Sequence, residues 1–151
     1  MKFQRGQSIV EFAIILPLFL FLFLGIVYAG FAFSDYLMMS HTARSIAHEA
    51  SLTTGEDAYQ KIVINNTKYA VLKSDLYIWE PDTEAGTNNK YLTVYYDSNQ
   101  QEVVVVAQAT YNTSSSYIAR VISSFSKNYG GDSYAAPAIN IRYTMYSPAV
   151  N

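Results

Sequence analysis

Residues 12–34 form a run of 23 residues that contains no charged side chain. As an α-helix, this run is about 34 Å long at about 1.5 Å per residue, and the hydrocarbon core of a bilayer is about 30 Å thick. Leucine, isoleucine, phenylalanine and valine dominate the run, and each favours insertion by about 0.3–0.6 kcal/mol. We therefore expect a membrane-inserting helix near the start of the chain.

The charges on either side of the run predict its orientation. Lys2 and Arg5 precede it, and Asp35 follows it. Because basic residues stay on the cytoplasmic side, the N-terminus is expected in the cytoplasm and the C-terminal part across the membrane. Two alternatives are an uncleaved anchor and a secretory signal peptide cut after Ala29. The signal peptide is disfavoured because its apolar region is normally about 7–15 residues long.

The composition excludes several kinds of site. The chain has no cysteine, two histidines and a net charge of -2, which removes thiolate chemistry and makes a broad basic surface for nucleic acid unexpected. On one helix, His41 and His48 lie two turns, about 10 Å, apart, which is too far for both to bind one zinc ion. The sequence also has no phosphate-binding glycine loop and no hydrolase or protease motif. We predict no metal, no cofactor and no enzymatic activity.

Glu11 is an unexpected residue at the edge of a membrane span, because a carboxylate drawn into lipid is costly. Gly6 stands five residues before it, directly after the basic stretch. Cleavage after Gly6 would make Gln7 the new N-terminus, with the Glu11 carboxylate about one helical turn further on. The new α-amine of one helix could then pair with the carboxylate of a neighbouring helix. The alternative is a charge that snorkels to the membrane surface.

The residues around this glycine and glutamate resemble a known signal. Gly6, Glu11 and Phe12, in the order glycine, four residues, glutamate and aromatic, resemble the class III signal of type IV pilin-like proteins. Together with Pro17, which follows a leucine inside the apolar run, they are similar to the TadE-like pseudopilins of the Tad (tight adherence) pilus. The resemblance covers roughly the first 50 residues.

The resemblance implies a minor pilin or pseudopilin that a prepilin peptidase cuts between Gly6 and Gln7. It implies that Glu11, Phe12 and Pro17 serve assembly with other pilin or pseudopilin subunits and with pilus assembly proteins of the inner membrane. The alternative function is a membrane-anchored extracytoplasmic binding or sensory domain without leader cleavage.

The expected organisation has three parts: a leader at 1–6, a transmembrane and assembly helix at 7–34, and an extracytoplasmic α+β domain at 35–151. Such a subunit is expected in the bacterial inner membrane as a single-pass protein with its N-terminus in the cytoplasm. It would contact membrane lipid there, or enter a surface pilus.

Hydrophobic periodicity after the span predicts a small pilin-like α+β domain, in which the long first helix and further helices pack on an antiparallel sheet. The first helix is expected to continue to residue 50, and a second to begin with Thr54 as its N-cap. Strands are expected at 76–79, 91–97, 102–111 and 138–147, with a hairpin loop at 98–101, and an amphipathic helix at 117–125. The expected buried stripes are Tyr36, Met39, Ala43, Ile46, Ala47 and Ala50 on the first helix, and Tyr59, Ile62, Val63, Tyr69 and Ala70 on the second.

Fourteen tyrosines are the unusual feature of the composition. We expect Tyr143 in the core, and Tyr146 with either Tyr95 or Tyr96 on an outward face of the sheet. Tyrosine suits interfaces because its large ring has a polar end, although aromatic residues also simply favour strands.

Overall fold

The computed structural model describes residues 4–81, 90–112, 114, 120, 124 and 138–148, with side chains from residue 8 onward. The elements in chain order are helices α1 (Gln4–Ser51) and α2 (Glu56–Thr67), then strands β1 (Tyr77–Ile78), β2 (Leu92–Asp97), β3 (Glu102–Tyr111) and β4 (Ile139–Tyr146). A long apolar helix, a small antiparallel sheet and a second helix confirm the α+β prediction. The helix predicted at 117–125 lies almost entirely outside the described residues.

Helix α1 is 48 residues long, about 72 Å at about 1.5 Å per residue. Its upper part carries the predicted buried stripe, whose exposed fractions are 0–1% for Met39, Ala43, Ile46, Ala47 and Ala50. The prediction for Tyr36 is wrong, because this side chain is 43% exposed. The buried stripe instead continues one residue earlier, through Asp35, since residues four apart lie on the same helix face.

Helix α2 begins one residue later than a Thr54 cap requires. The N-cap is Gly55, at a φ of 101°, and no side chain caps the helix; that φ is readily available only to glycine. The Thr54 prediction is therefore wrong. Tyr69 is also misplaced by the prediction: α2 ends at Thr67, and Tyr69 in the following turn is 78% exposed. The other predicted members, Tyr59, Ile62, Val63 and Ala70, are buried.

Strand β3 is the centre of the sheet, because each of the other three strands pairs with it in antiparallel fashion. Four of its side chains, Val103, Val105, Ala107 and Ala109, are 0% exposed and belong to the hydrophobic core. The core lies between this face and α1, which packs on β3 and β4 while α2 packs on α1.

The hairpin between β2 and β3 has the predicted four-residue loop, since Asp97 pairs with Glu102. The Asp97 carboxylate accepts a 3.0 Å hydrogen bond from the backbone amide of Asn99. Gln101 adopts a φ of 54°. This local turn fixes the register of β2 against β3.

The outward tyrosines lie as predicted. Strand β4 alternates as expected, and Tyr146 is 55% exposed. Of the two candidates on β2, Tyr95 is the outward one at 39% exposure, whereas Tyr96 packs against the core. Tyr143 also packs against the core, which confirms its predicted position.

Candidate functional site

The lower part of α1 is exposed on every face. All the large apolar side chains from Ile9 to Ile26 are between 45% and 72% exposed. Within the described residues, this is the one helix long and apolar enough to cross a membrane, and none of its most apolar window is buried inside the protein. Burial in a protein core therefore does not account for its hydrophobicity, although a signal sequence would meet the same criteria of length and composition.

The residues that the sequence analysis singled out lie near the start of α1. Glu11 and Phe12 are exposed, and Pro17 lies inside the continuous helix. Gly6 and Gln7 are within the helical backbone of α1. Helical geometry places Glu11 one turn above Gln7, on the same face. The helix thus brings the predicted cleavage position and the carboxylate onto one surface, while Pro17 lies about 9 Å further along the axis.

The domain already contacts α1 before Asp35, the first charged residue after the uncharged run. Tyr28 and Ala32 are partly buried and pack against the hydrophobic core, and Asp35 is 0% exposed. Their spacing of four and three residues puts all three on the face that continues to Met39. One helix face is therefore in contact with the domain from Tyr28 upward.

Asp35 holds the loop between α2 and β1 against the helix. Its Oδ1 atom accepts hydrogen bonds from the backbone amides of Lys73, at 3.2 Å, and Ser74, at 3.3 Å. The Ser74 hydroxyl donates a further hydrogen bond to Oδ2. A buried carboxylate needs such partners because an unpaired buried charge is strongly unfavourable. Asp35 thus connects the top of the uncharged run to residues 38 and 39 positions further along the chain.

Three tyrosines lie close together near Tyr28, about two helical turns before Asp35 on α1. Tyr77 of β1 and Tyr111 of β3 form an edge-to-face ring pair with centroids 5.9 Å apart, and Tyr28 of α1 lies close to both. Burial, followed by the neighbouring Tyr28, raises the pKa of Tyr77, and the same two causes raise the pKa of Tyr111 to about 12. The Tyr111 hydroxyl is buried and makes no hydrogen bond of acceptable geometry with a described residue, so Tyr28 raises its pKa through proximity rather than through a well-formed hydrogen bond.

A second contact joins α1 to the sheet higher up. The hydroxyls of Ser40 and Tyr143 are 2.7 Å apart, and the Arg44 guanidinium lies 5.7 Å from the centre of the Tyr143 ring. A cation at this distance from an aromatic face is attracted by the ring. Together with the buried stripe, these contacts make the upper half of α1 an integral part of the domain.

The described residues offer little for catalysis or metal binding. No group of three or more histidine, aspartate or glutamate side chains among them could hold a metal ion. His41 and His48 are exposed on α1. A shallow groove beside the end of α2, lined in part by Lys68, Trp79 and Glu80, brings together no catalytic set.

The fold and the apolar helix define a class: a small α+β domain built onto the upper half of a helix whose lower half suits a membrane. The family model for TadE-like proteins matches residues 6–48, which is under a third of the chain. The first helix of this protein is therefore similar to that of TadE-like proteins, as its sequence resemblance predicted, and this similarity suggests a component associated with the Tad pilus. No curated protein and no solved structure matches the chain.

Sequence reasoning missed the roles of Asp35 and Tyr28. Asp35 entered the sequence analysis only as the charge that ends the span. A signal was nevertheless present, because Tyr28, Ala32, Asp35 and Met39 follow the same three- and four-residue spacing as the buried stripe above them. A carboxylate on an apolar stripe predicts a buried charge with specific partners.

Proposed function

We propose that this protein is a minor pilin or pseudopilin: a structural and assembly subunit of a Tad-type pilus, held in the bacterial inner membrane by the lower half of α1. The observation that carries the proposal is the continuity of α1. One helix is exposed and apolar over residues 9–26, is built into the domain core above residue 28, and matches the TadE-like family over residues 6–48. The N-terminus lies in the cytoplasm and the α+β domain outside it, as the flanking charges favour.

In this proposal a prepilin peptidase cuts the chain between Gly6 and Gln7. The new α-amine of Gln7 is then one helical turn from Glu11, and it pairs with the Glu11 carboxylate of an adjacent pilin or pseudopilin subunit. Phe12 and Pro17 belong to the same assembly segment, where Phe12 offers an apolar contact and Pro17 removes one helical hydrogen bond and so provides a point of flexibility. The family is a structural one, so the proposal assigns no reaction to the protein.

The mass of the mature protein tests this proposal. The full chain, tagged at its C-terminus and extracted from membranes of cells that contain a prepilin peptidase, is expected to lack residues 1–6. A Gly6→Leu variant is expected to retain them, because the peptidase must approach the backbone at this position.

A matched control is Gly25→Leu, which changes another glycine of α1 at a position where an added Cβ meets nothing within 4 Å. This variant is expected to be processed normally. Intact mass spectrometry that finds residues 1–6 on the wild-type protein would contradict the proposed function and favour an uncleaved membrane-anchored domain instead.

A further inference from the structure

The point at which α1 leaves the lipid differs between the sequence and the structure. The uncharged run extends to Ser34, but the domain already packs on the helix at Tyr28. From Glu11 to Tyr28 the helix rises about 26 Å, and from Glu11 to Ser34 about 35 Å. Because the hydrocarbon core is about 30 Å thick, an exit at Tyr28 leaves an upright helix about 4 Å short, which slight thinning of the bilayer accommodates, whereas an exit at Ser34 requires a tilt of about 30°.

The parts of the domain beside Tyr28 decide between these two positions. Tyr77 and Tyr111, which lie next to Tyr28, sit at the start of the short strand β1 and at the end of β3. The backbone of residues 70–76, which leads into β1, is irregular and carries the exposed charged residues Lys73 and Asp75. Irregular backbone exposed to hydrocarbon is not tolerated, because its polar groups have no partners there. Because Asp35 holds Lys73 and Ser74 at its own level, an exit at Ser34 would leave that loop at the edge of the hydrocarbon and would place the ends of β1 and β3 that lie beside Tyr28 inside it.

Two of the three tyrosines, Tyr28 and Tyr111, are only partly buried and suit the boundary between hydrocarbon and water, whereas Tyr77 is 8% exposed and packs behind them in the domain core. Tyrosine is enriched at this level of membranes because its ring is apolar and its hydroxyl is polar. The interfacial layer is about 5–7 Å thick on each side of the core, and Asp35 lies seven residues, about 10 Å, above Tyr28. With Tyr28 at the bottom of this layer, Asp35 and the loop that it holds reach the water.

We propose that the lipid hydrocarbon ends at Tyr28, and that tyrosines from the helix and from the sheet seat the domain directly on the headgroup layer of the membrane. This inference rests on the membrane anchorage in the proposed function. Its consequence is that the upper part of the uncharged run lies outside the hydrocarbon. Phe31 is at headgroup level, and Leu37, which is 50% exposed, is in water.

A depth measurement on the full chain tests the proposal. The chain has no cysteine, so single cysteines can be introduced at the exposed positions Ile26, Phe31 and Leu37 and labelled with a nitroxide. The labelled protein is placed in vesicles of phosphatidylethanolamine and phosphatidylglycerol, and collisions with oxygen and with a water-soluble nickel chelate are measured. We expect the Leu37→Cys label to collide with the nickel chelate several-fold more often than the Ile26→Cys label, and the Phe31→Cys label to be intermediate.

One outcome of this measurement would overturn the proposal. If the label at position 31 is as sheltered from nickel as the label at 26, the hydrocarbon extends beyond Tyr28 and the inference is wrong, because only position 31 lies between the two proposed exits. A label at Leu52, which is 63% exposed at the far end of α1, must be accessible under either account and serves as the control. Failure of the protein to float with the vesicles would instead overturn the anchorage itself, and the emission of Trp79, the single tryptophan, reports whether each variant is folded.

Discussion

Asp35 is a buried charge in a chain with few charges, and its partners are backbone amides rather than a basic side chain. Its carboxylate accepts hydrogen bonds from Lys73 and Ser74 of one loop. Hydrogen bonds to charged groups contribute about 1.5–3 kcal/mol each, so the arrangement can offset the cost of burying the charge. Its structural effect is to fix the loop that leads into β1 at the height of the helix where the uncharged run ends.

Replacement of Asp35 should therefore destabilise the domain. We expect Asp35→Ala to lower the free energy of unfolding by roughly 2–4 kcal/mol, because two partly buried backbone amides and the Ser74 hydroxyl lose their acceptor. The matched control is Asp75→Ala, an exposed aspartate in the same loop, for which a change within about 0.5 kcal/mol is expected. Urea unfolding in detergent measures both variants, and equal stabilities would show that the loop does not depend on the carboxylate.

Tyr111 presents the opposite case, a buried hydroxyl with no hydrogen-bond partner in the described part of the chain. A polar group in this state costs about 1–3 kcal/mol. We expect Tyr111→Phe to raise the free energy of unfolding at neutral pH by about 1 kcal/mol, because the ring contact with Tyr77 is kept while the hydroxyl is removed. Tyr95→Phe, on the outward face, is the control and should leave stability unchanged. A loss of stability in Tyr111→Phe would show that the hydroxyl has a partner.

The raised pKa of Tyr111 also predicts a dependence on alkaline pH. In the unfolded chain a tyrosine loses its proton near pH 10, whereas in the folded protein the pKa of Tyr111 is about 12 because of burial and the neighbouring Tyr28. Between these two values the unfolded state releases its proton first, so stability is complete below pH 10 and falls as the pH rises toward 12. Urea midpoints at pH 8 and pH 11 should differ less for Tyr111→Phe than for the wild type. An identical pH dependence in both proteins would contradict the assignment.

At the scale of elements, the sequence predicts the helices and strands because their periodicities are local. The three- and four-residue spacing of Met39, Ala43 and Ile46 and the alternation along β4 both appear in the structure. Element ends are less predictable, because they depend on single backbone conformations such as the positive φ of Gly55. The burial of Asp35 is the hardest to foresee, since its partners come from a loop 38 and 39 residues away in sequence.

The same reasoning applies to the candidate site on the lower half of α1. Its apolar character and the spacing of Gly6 and Glu11 are visible in the sequence, whereas the depth of the helix in the membrane depends on where the sheet touches it. That contact is made by Tyr28 with Tyr77 and Tyr111. These residues are far apart in the chain, and only the folded domain brings them together.

In the proposed function α1 is an assembly element, and the prediction at this scale concerns Glu11. We expect Glu11→Gln to insert into the membrane and to be cut after Gly6, but to lose its partner subunits on co-purification. Removing one member of a buried ion pair costs about 3–5 kcal/mol, which is a loss of about 100- to 1,000-fold or more in association. Glu11→Asp keeps the charge, shortens the reach by one methylene and should be partly active. Normal recovery of partners with processed Glu11→Gln would show that Glu11 is a surface charge only.

At the scale of the whole molecule, α1 serves two environments without a break. Its lower half is exposed and apolar, and its upper half supplies one side of the domain core. Because the helix is continuous from Gln4 to Ser51, a movement of the lower half along the membrane normal moves the domain with it. The buried stripe indicates which part of α1 the domain needs in order to fold without the apolar lower half.

Truncation of α1 should separate these two roles. A fragment that starts at Asp35 keeps Met39, Ala43 and Ile46, so it should fold as a monomer, with a cooperative melt that a chelator does not change. A fragment that starts at Tyr28 adds the contacts of Tyr28 and Ala32 with the core and should melt several degrees higher, since about 1 kcal/mol shifts the melting temperature of a domain of this size by roughly 3–6 °C.

The negative control for these fragments begins at residue 48, beyond most of the buried stripe. It lacks four side chains that are 0% exposed, Asp35, Met39, Ala43 and Ile46, and the loss of each large apolar one costs about 2–5 kcal/mol. Because a domain of this size is stable by only about 5–15 kcal/mol in total, this fragment should show no cooperative unfolding by calorimetry or circular dichroism. Cooperative unfolding of the fragment from residue 48 would show that α1 is an accessory to the domain, and the transfer of motion from membrane to domain through a shared core would then have no structural basis.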